Sequence, residues 1–196
     1  MRQPETTKAT ILKEAAVLFN TQGYKATSIS EITDETGLTK GAIYRHFTNK
    51  EELEREALCY QETILAEKLR QCILSEQTAG NKLRAVFQFF RSYISNPPFP
   101  GGCPLLNAAI EADDTDQNLR EGALHMLNLY QDGLKRILEN GKTHGQIKSR
   151  IDIELYATII FASLEGAIMM GKLTQSEKEI NHVITFLEEL IKTIEV

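Results

Sequence analysis

Ser28-Ile-Ser-Glu-Ile-Thr-Asp-Glu-Thr-Gly-Leu-Thr-Lys-Gly-Ala-Ile-Tyr-Arg-His-Phe-Thr-Asn-Lys-Glu-Glu-Leu53 is the stretch that decides the fold. Ser28 followed three residues later by Glu31 is a capping box, so a helix starts there. Gly37 stops it within about three turns. Thr39 caps a third short helix, expected to run through Phe47, and Asn49 with Glu52 opens a fourth. Two short helices joined by a tight glycine-containing turn form a helix-turn-helix. Ile43 and Phe47, at i and i+4, are expected in a small core with Ile29, Ile32 and Leu38. Lys40 and Tyr44 then share an outward face, which offers a cation, a phenol and hydroxyls to phosphates and base edges.

Working outward, Ile11, Leu12, Ala15, Ala16, Leu18 and Phe19 recur at three- and four-residue spacing, which predicts a first helix over about 7–22 with Gly23 as its left-handed cap. All five prolines fall at positions 4, 97, 98, 100 and 104, which leaves two long proline-free stretches. Proline breaks helix interiors, and no Asn-Gly or Asp-Gly hairpin signal lies between alternating apolar runs, so the fold class is all-α. Further helices are expected at about 50–75, 82–95, 103–112, 117–143, 152–171 and 177–194, the last opened by a capping box from Thr174 to Glu177. Asn96-Pro-Pro-Phe-Pro-Gly-Gly102 is a loop that no regular element crosses.

Charge is unevenly placed. The 196 residues carry 22 basic and 27 acidic side chains, a net of −5, yet residues 1–50 are net +2 and the remainder net −7. An overall acidic balance argues against a phosphate-binding partner, whereas the split points to a division of labour along the chain. The N-terminus is polar, without an apolar signal core. The most apolar run, Tyr156 to Met170, is short for a bilayer and contains Glu165, so no membrane partner is expected. Three cysteines without paired spacing fit a reducing cytoplasm. His46, His125, His144 and His182 are scattered, with no zinc spacing, phosphate loop or nucleophile elbow, so catalytic residues, metal and cofactor are all expected to be absent.

The stretch from Ser28 to Leu53 closely resembles the DNA-binding signature of the TetR family of bacterial transcriptional regulators. Ala15-Ala16, Phe19, Gly23-Tyr24 and Thr27-Ser28 match the family's first helix and its exit turn. The resemblance covers about residues 8–55. It implies a helix-turn-helix DNA-binding domain over 1–49, followed by a larger helical ligand-binding and dimerisation domain over 50–196. By position it assigns Thr27 and Ser28 to phosphate at the start of the second helix, and Thr39, Lys40, Gly41 and Tyr44 to the major groove and its rim. His46 and Lys50 would hold backbone phosphates, and Arg45 would read a base or stay solvated. Each also has an ordinary structural reading: Ser28 and Thr39 as caps, Tyr44 as a half-buried core residue, His46 as a structural histidine. Gly41 costs about 1 kcal/mol in a helix relative to alanine, for which close approach to DNA and tight packing on the first helix are the two available reasons.

The resemblance further implies a homodimer on palindromic operator DNA, released as a repressor when a small-molecule effector enters the larger domain. The dimer would pack through the two terminal helices, at Leu155, Ile159, Ala162, Ile180, Val183, Ile184, Leu187 and Ile191. Candidate pocket walls are Phe87, Phe90, Tyr93, Cys103, Leu105, Asn107, Met126, Tyr130, Phe161, Glu165 and Met169, each equally readable as core. Glu165 would bind a cationic ligand or face water. Cys103 lies at or beside a helix N-cap, and Gly-Cys-Pro-Leu-x-Asn107 is similar to a stretch in a branch of the family that includes electrophile or redox sensors; its other reading is a buried small hydrophobe. The competing function is a helical small-molecule-binding protein that has no DNA partner.

Overall fold

The computed structural model describes residues 4–112 and 116–196, so Arg2, one of the cations counted in the head, lies outside the described residues. Nine helices are found among them: α1 (Pro4–Gln22), α2 (Ile29–Thr36), α3 (Lys40–Ile43), α4 (Lys50–Leu74), α5 (Ala79–Ser95), α6 (Pro104–Ala112), α7 (Gln117–Thr143), α8 (Ile153–Thr174) and α9 (Lys178–Ile194). The only β pairing among the described residues is an isolated bridge between Ile147 and Glu195. The all-α expectation is met.

The chain divides into two compact units. One contains residues 1–64 and 99–126, the other residues 65–98 and 127–196. The expected boundary after residue 49 falls within the first of these units. The first part of α4, all of α6 and the start of α7 join the helix-turn-helix.

In the first unit Ile11, Ala15, Ala16 and Phe19 of α1 pack with Ile32, Ile43, Phe47, Leu53 and Ala57, all buried. Tyr24 stacks on Phe19 with ring centroids 5.1 Å apart. Gly23 has φ +98°, and a Cβ there would lie 2.8 Å from the Glu111 carboxylate, so both backbone and space require glycine. Glu111 of α6 accepts the Tyr24 and Lys25 backbone N–H groups at 3.0 and 3.1 Å. Asn107 Nδ2 donates to Asn20 Oδ1 at 2.9 Å, and Asn20 Nδ2 donates to Pro100 O and Gly102 O. The bonds and the burial place two residues read as candidates. Asn107 spends its amide on the end of α1, and Cys103, only 2% exposed, is buried beside the first turn of α6. The buried cysteine fits the small-hydrophobe reading.

In the second unit α5, α8 and α9 pack against one another. Leu83, Phe87, Phe90, Tyr93, Ile160, Leu164, Ile168, Ile180, Leu187 and Ile191 supply its core. α8 is longer than expected and is apolar enough by length and composition to cross a membrane, but seven of its residues are buried within this unit. Its extension removes the expected capping box at the start of α9. Thr174 is the last residue of α8, and its hydroxyl donates to Met170 O at 3.0 Å. Gln175 turns left-handed at φ 52°, and Glu177 makes no side-chain cap bond.

Candidate nucleic-acid interface and effector cavity

The helix-turn-helix is built by caps. Ser28 Oγ accepts the Glu31 N–H at 3.3 Å while the Glu31 carboxylate accepts the Ser28 N–H at 2.7 Å. Gly37 then closes α2 at φ 66°. Thr39 Oγ1 accepts the Ala42 N–H to open α3, and Asn49 Oδ1 accepts the Glu52 N–H to open α4. The N–H donors of Ser28 and Thr48 hold the Glu31 and Glu52 carboxyls below the usual carboxylate range.

α3 is shorter than the expected span from Thr39 to Phe47. Tyr44 sits at φ −71°, ψ −2°, and Ile43 O accepts both the His46 and the Phe47 N–H. The last turn is thus tightened in 3₁₀ fashion. Ile43 and Phe47 point into the core as expected, whereas Thr39, Lys40, Gly41, Tyr44 and Arg45 are exposed and His46 is half-exposed. Tyr44 is 48% exposed, so it is no core residue. A Cβ on Gly41 would meet only Thr39 Oγ1, at 4.0 Å. Tight packing on α1 is therefore not the reason for this glycine.

Two of the nine expected contact residues are placed otherwise. Thr27 is 1% exposed, and its hydroxyl donates to Gly23 O at 2.7 Å, which fixes the turn and leaves nothing for a phosphate. Lys50 Nζ donates to Tyr24 O at 2.6 Å and pairs with Glu54 at 3.1 Å. Burial pushes the Glu54 carboxyl up, against the pull of the Lys50 charge. The i,i+4 spacing of Lys50 and Glu54 is the sequence signal for this pair. The other cations of the head sort in the same way: Lys8 pairs with Glu56 and Lys13 with Glu14. Among the described residues, Lys25, Lys40 and Arg45 make no ion pair, and the last two lie in and just after α3.

The second unit holds an apolar cavity of about 310 Å³ between the end of α4, α5, α7 and α8. Of the expected pocket walls, Phe90, Tyr130 and Phe161 line it. Tyr130 stacks on Phe161 at 5.4 Å, and Phe90 meets both rings edge-on at 6.0 Å. Leu69, Ile73 and Leu74 of α4 form another wall, which was not among the expected pocket residues. The remaining expected residues do not line this cavity. Phe87 and Tyr93 are core; Cys103, Leu105, Asn107 and Met126 belong to the other unit; Glu165 does not line the cavity; Met169 is exposed on the outer side of α8.

The expected dimer surface is also divided. Leu155, Ile159 and Ala162 are exposed and Val183 is half-exposed, but Ile180, Ile184, Leu187 and Ile191 are buried in their own unit. α9 turns its most regular apolar stripe inward and leaves Val183, Phe186 and Leu190 on the other side. Phe186 is 63% exposed, and Leu173 and Met170 extend the stripe on α8. Gly166 lies in the same row, and a Cβ there would meet nothing within 4 Å.

Comparison with known proteins places this geometry. Residues 11–57 match the model of bacterial regulatory proteins of the tetR family, and residues 79–187 match that of the tetracyclin repressor-like C-terminal domain. The chain is 26% identical over 183 residues to the HTH-type transcriptional regulator LmrA of Bacillus subtilis, covering 93% of this chain and 95% of that protein. A crystal structure of a TetR transcriptional regulator from Chloroflexus aurantiacus superposes with a TM-score of 0.94 at 34% identity, over 100% of this chain and 98% of that one. A TetR-family regulator from Cytophaga hutchinsonii gives 0.92 at 32% identity, with the same coverage of each chain. With both domain models matched and full-length relatives above 30% identity, the chain belongs to the TetR family of transcriptional regulators.

Proposed function

We propose that this regulator is a cytoplasmic homodimeric repressor without enzymatic activity, held on a palindromic operator and released when a small molecule occupies the cavity of the second unit. The observation that carries the reading is the face around Gly41. It is exposed, no other element among the described residues packs on Gly41, and Lys40, Tyr44 and Arg45 surround it with unpaired cations and a phenol. A glycine that neither backbone nor packing requires is explained by close approach of an outside surface. Ser28, Thr39 and His46 complete the face, the first two through helix N-termini that favour phosphate.

Symmetry follows from the DNA. Two copies present their α3 helices about 34 Å apart only if they pair through a two-fold interface. The exposed stripe of Leu155, Ile159, Ala162, Met170 and Leu173 on α8, with Val183 and Phe186 on α9, supports that pairing. Release requires the effector to bind the DNA-free conformation more tightly, and linkage makes DNA weaken the effector equally.

The test is an electrophoretic shift with the DNA upstream of its own gene at low salt. The parent forms a saturable complex of two chains per site, and Tyr44→Ala loses about 1–3 kcal/mol of binding. A parent that binds no such fragment at low salt overturns the reading.

A further inference from the structure

The apolar cavity does not stand alone. A second cavity of about 630 Å³ adjoins it and shares Ile73, Leu74, Gly133, Arg136 and Ile137 with it. The first has an aliphatic and aromatic lining with Arg70 and Arg136 at its edge. The second is the more polar of the two and adds Gln77, Lys82, Asn140, His144 and Gln146 to the shared Arg136. Every titratable side chain of acid–base character around either cavity, Tyr130 apart, is a base: Arg70, Lys82, Arg136 and His144. No carboxylate lines either one, although residues 51–196 hold 22 of the 27 acidic side chains.

The cations are available. Among the described residues, neither Lys82 nor Arg136 makes an ion pair, while Arg70 reaches only the exposed Glu67, at 3.6 Å. Arg136 lines both cavities, placing a planar fork of donors where the apolar space meets the polar one. Gly133, one turn earlier on the same helix, also lines both, and a Cβ there would meet nothing within 4 Å. As with Gly41, neither backbone nor packing requires glycine at that point, and its absent side chain keeps the two spaces joined.

From this arrangement we infer that the effector is an amphipathic organic anion. Its flat or chain-like apolar body lies against Phe90, Tyr130 and Phe161, and its carboxylate, sulfonate or phosphate is held by Arg136 with Arg70 or Lys82. The inference rests on the reading of this cavity as the ligand site. Buried apolar area supplies binding, and charge-assisted bonds to the guanidinium select the anionic head over a neutral isostere.

Two fluorescent probes with one ring skeleton test it: 1-anilinonaphthalene-8-sulfonate, and N-phenyl-1-naphthylamine, which lacks the sulfonate. Titrated into the full chain without DNA, the sulfonate binds about tenfold or more tightly than the neutral probe at low salt, and added salt narrows the gap. Arg136→Gln removes most of that preference, with the helical signal and thermal midpoint reporting an intact fold. Gly133→Val weakens both probes. Equal or tighter binding of the neutral probe, or a preference that survives Arg136→Gln, overturns the inference. The outcomes separate from those of the regulator reading. A chain that prefers the sulfonate yet shifts no upstream DNA keeps the anion site and loses the repressor, whereas one that shifts DNA and prefers the neutral probe does the reverse.

Discussion

Gly41→Ala is expected to stabilise the free protein and to damage its DNA complex, two effects that a merely structural glycine cannot give together. The backbone at Gly41 is not in the left-handed region, and the added Cβ would meet only Thr39 Oγ1, at 4.0 Å. Alanine is therefore accepted without strain, and it removes the entropic cost of glycine in a helix, about 0.5–1 kcal/mol. For a chain of this size that raises Tm by about 2–4 °C per kcal/mol. On DNA the same methyl projects from an exposed turn flanked by Lys40 and Tyr44. If a backbone lies against that turn, the methyl separates the surfaces and the contacts beside it lengthen, costing about 1–3 kcal/mol, or roughly ten- to hundredfold in Kd. Thermal unfolding and fluorescence anisotropy on one operator fragment, at fixed salt, measure both. A fall in Tm would refute the packing argument. A rise in Tm with unchanged operator affinity would refute the placement of DNA on this face.

Gly141→Ala is the counterpart. Its Cβ would lie 2.5 Å from Ile147 Cγ1 and 2.6 Å from Ala79 Cβ, so the gain in helix propensity is outweighed by overpacking of about 1–3 kcal/mol and Tm falls in the same melt. Lys50→Ala is expected to lower stability by about 1–3 kcal/mol at neutral pH, because it leaves the buried Glu54 carboxylate unpaired. Burial has raised the folded-state pKa of Glu54, so its ionised form is the disfavoured one, and the penalty shrinks as pH falls through that raised value; Lys50→Ala/Glu54→Gln restores Tm at pH 7 if the reasoning holds. Glu31 and Glu52 titrate in the opposite sense. Their depressed pKa values contribute stability above the ordinary carboxylate range and lose it as pH falls through the lowered values, so Glu31→Gln/Glu52→Gln flattens the acid limb of a Tm-against-pH curve. Phe186→Glu is expected to give monomers in sedimentation velocity with the helical signal intact, whereas Ile184→Glu, on the buried stripe of the same helix, loses the fold. Lys40→Ala is expected to lower the slope of log affinity against log salt by about 1, while Lys13→Ala, whose charge already has Glu14, leaves it unchanged.

Most of the head was legible in the sequence because its order is local. Ser28 with Glu31, Gly37, Thr39 and Asn49 with Glu52 each act over three or four residues, and every one of these caps is found in place. What failed needed knowledge of tertiary partners. Thr27 is next to Ser28 and chemically similar, but the bend at Gly23 takes its hydroxyl inward. The periodicity of α9 was correct while its direction was not: the regular row of Ile180, Ile184, Leu187 and Ile191 satisfies an intrachain core just as well as a dimer seam, and the weaker row with Phe186 is left outside. The pocket suffered similarly. Aromatic residues mark apolar space, yet only packing decides whether that space is filled, as around Tyr93, or left open, as beside Tyr130.

Charge placement repeats at a finer scale what residue counting gave at a coarse one. The +2 head and −7 remainder distinguish two parts of the chain, but within the head the pairing of Lys8, Lys13 and Lys50 concentrates the uncompensated cations at Lys25, Lys40 and Arg45. Within the acidic remainder the pattern inverts: no carboxylate lines the two joined cavities, and their charged side chains are Arg70, Lys82 and Arg136. Both proposed anion sites, operator phosphate on the head and an organic anion in the second unit, are thus local exceptions to an acidic background. Such a background repels anions that lack a matching shape, and on the proposed reading each site selects by geometry as well as by charge. Neutralising the surface carboxylates of residues 51–196 should therefore raise affinity for random DNA more than affinity for the operator.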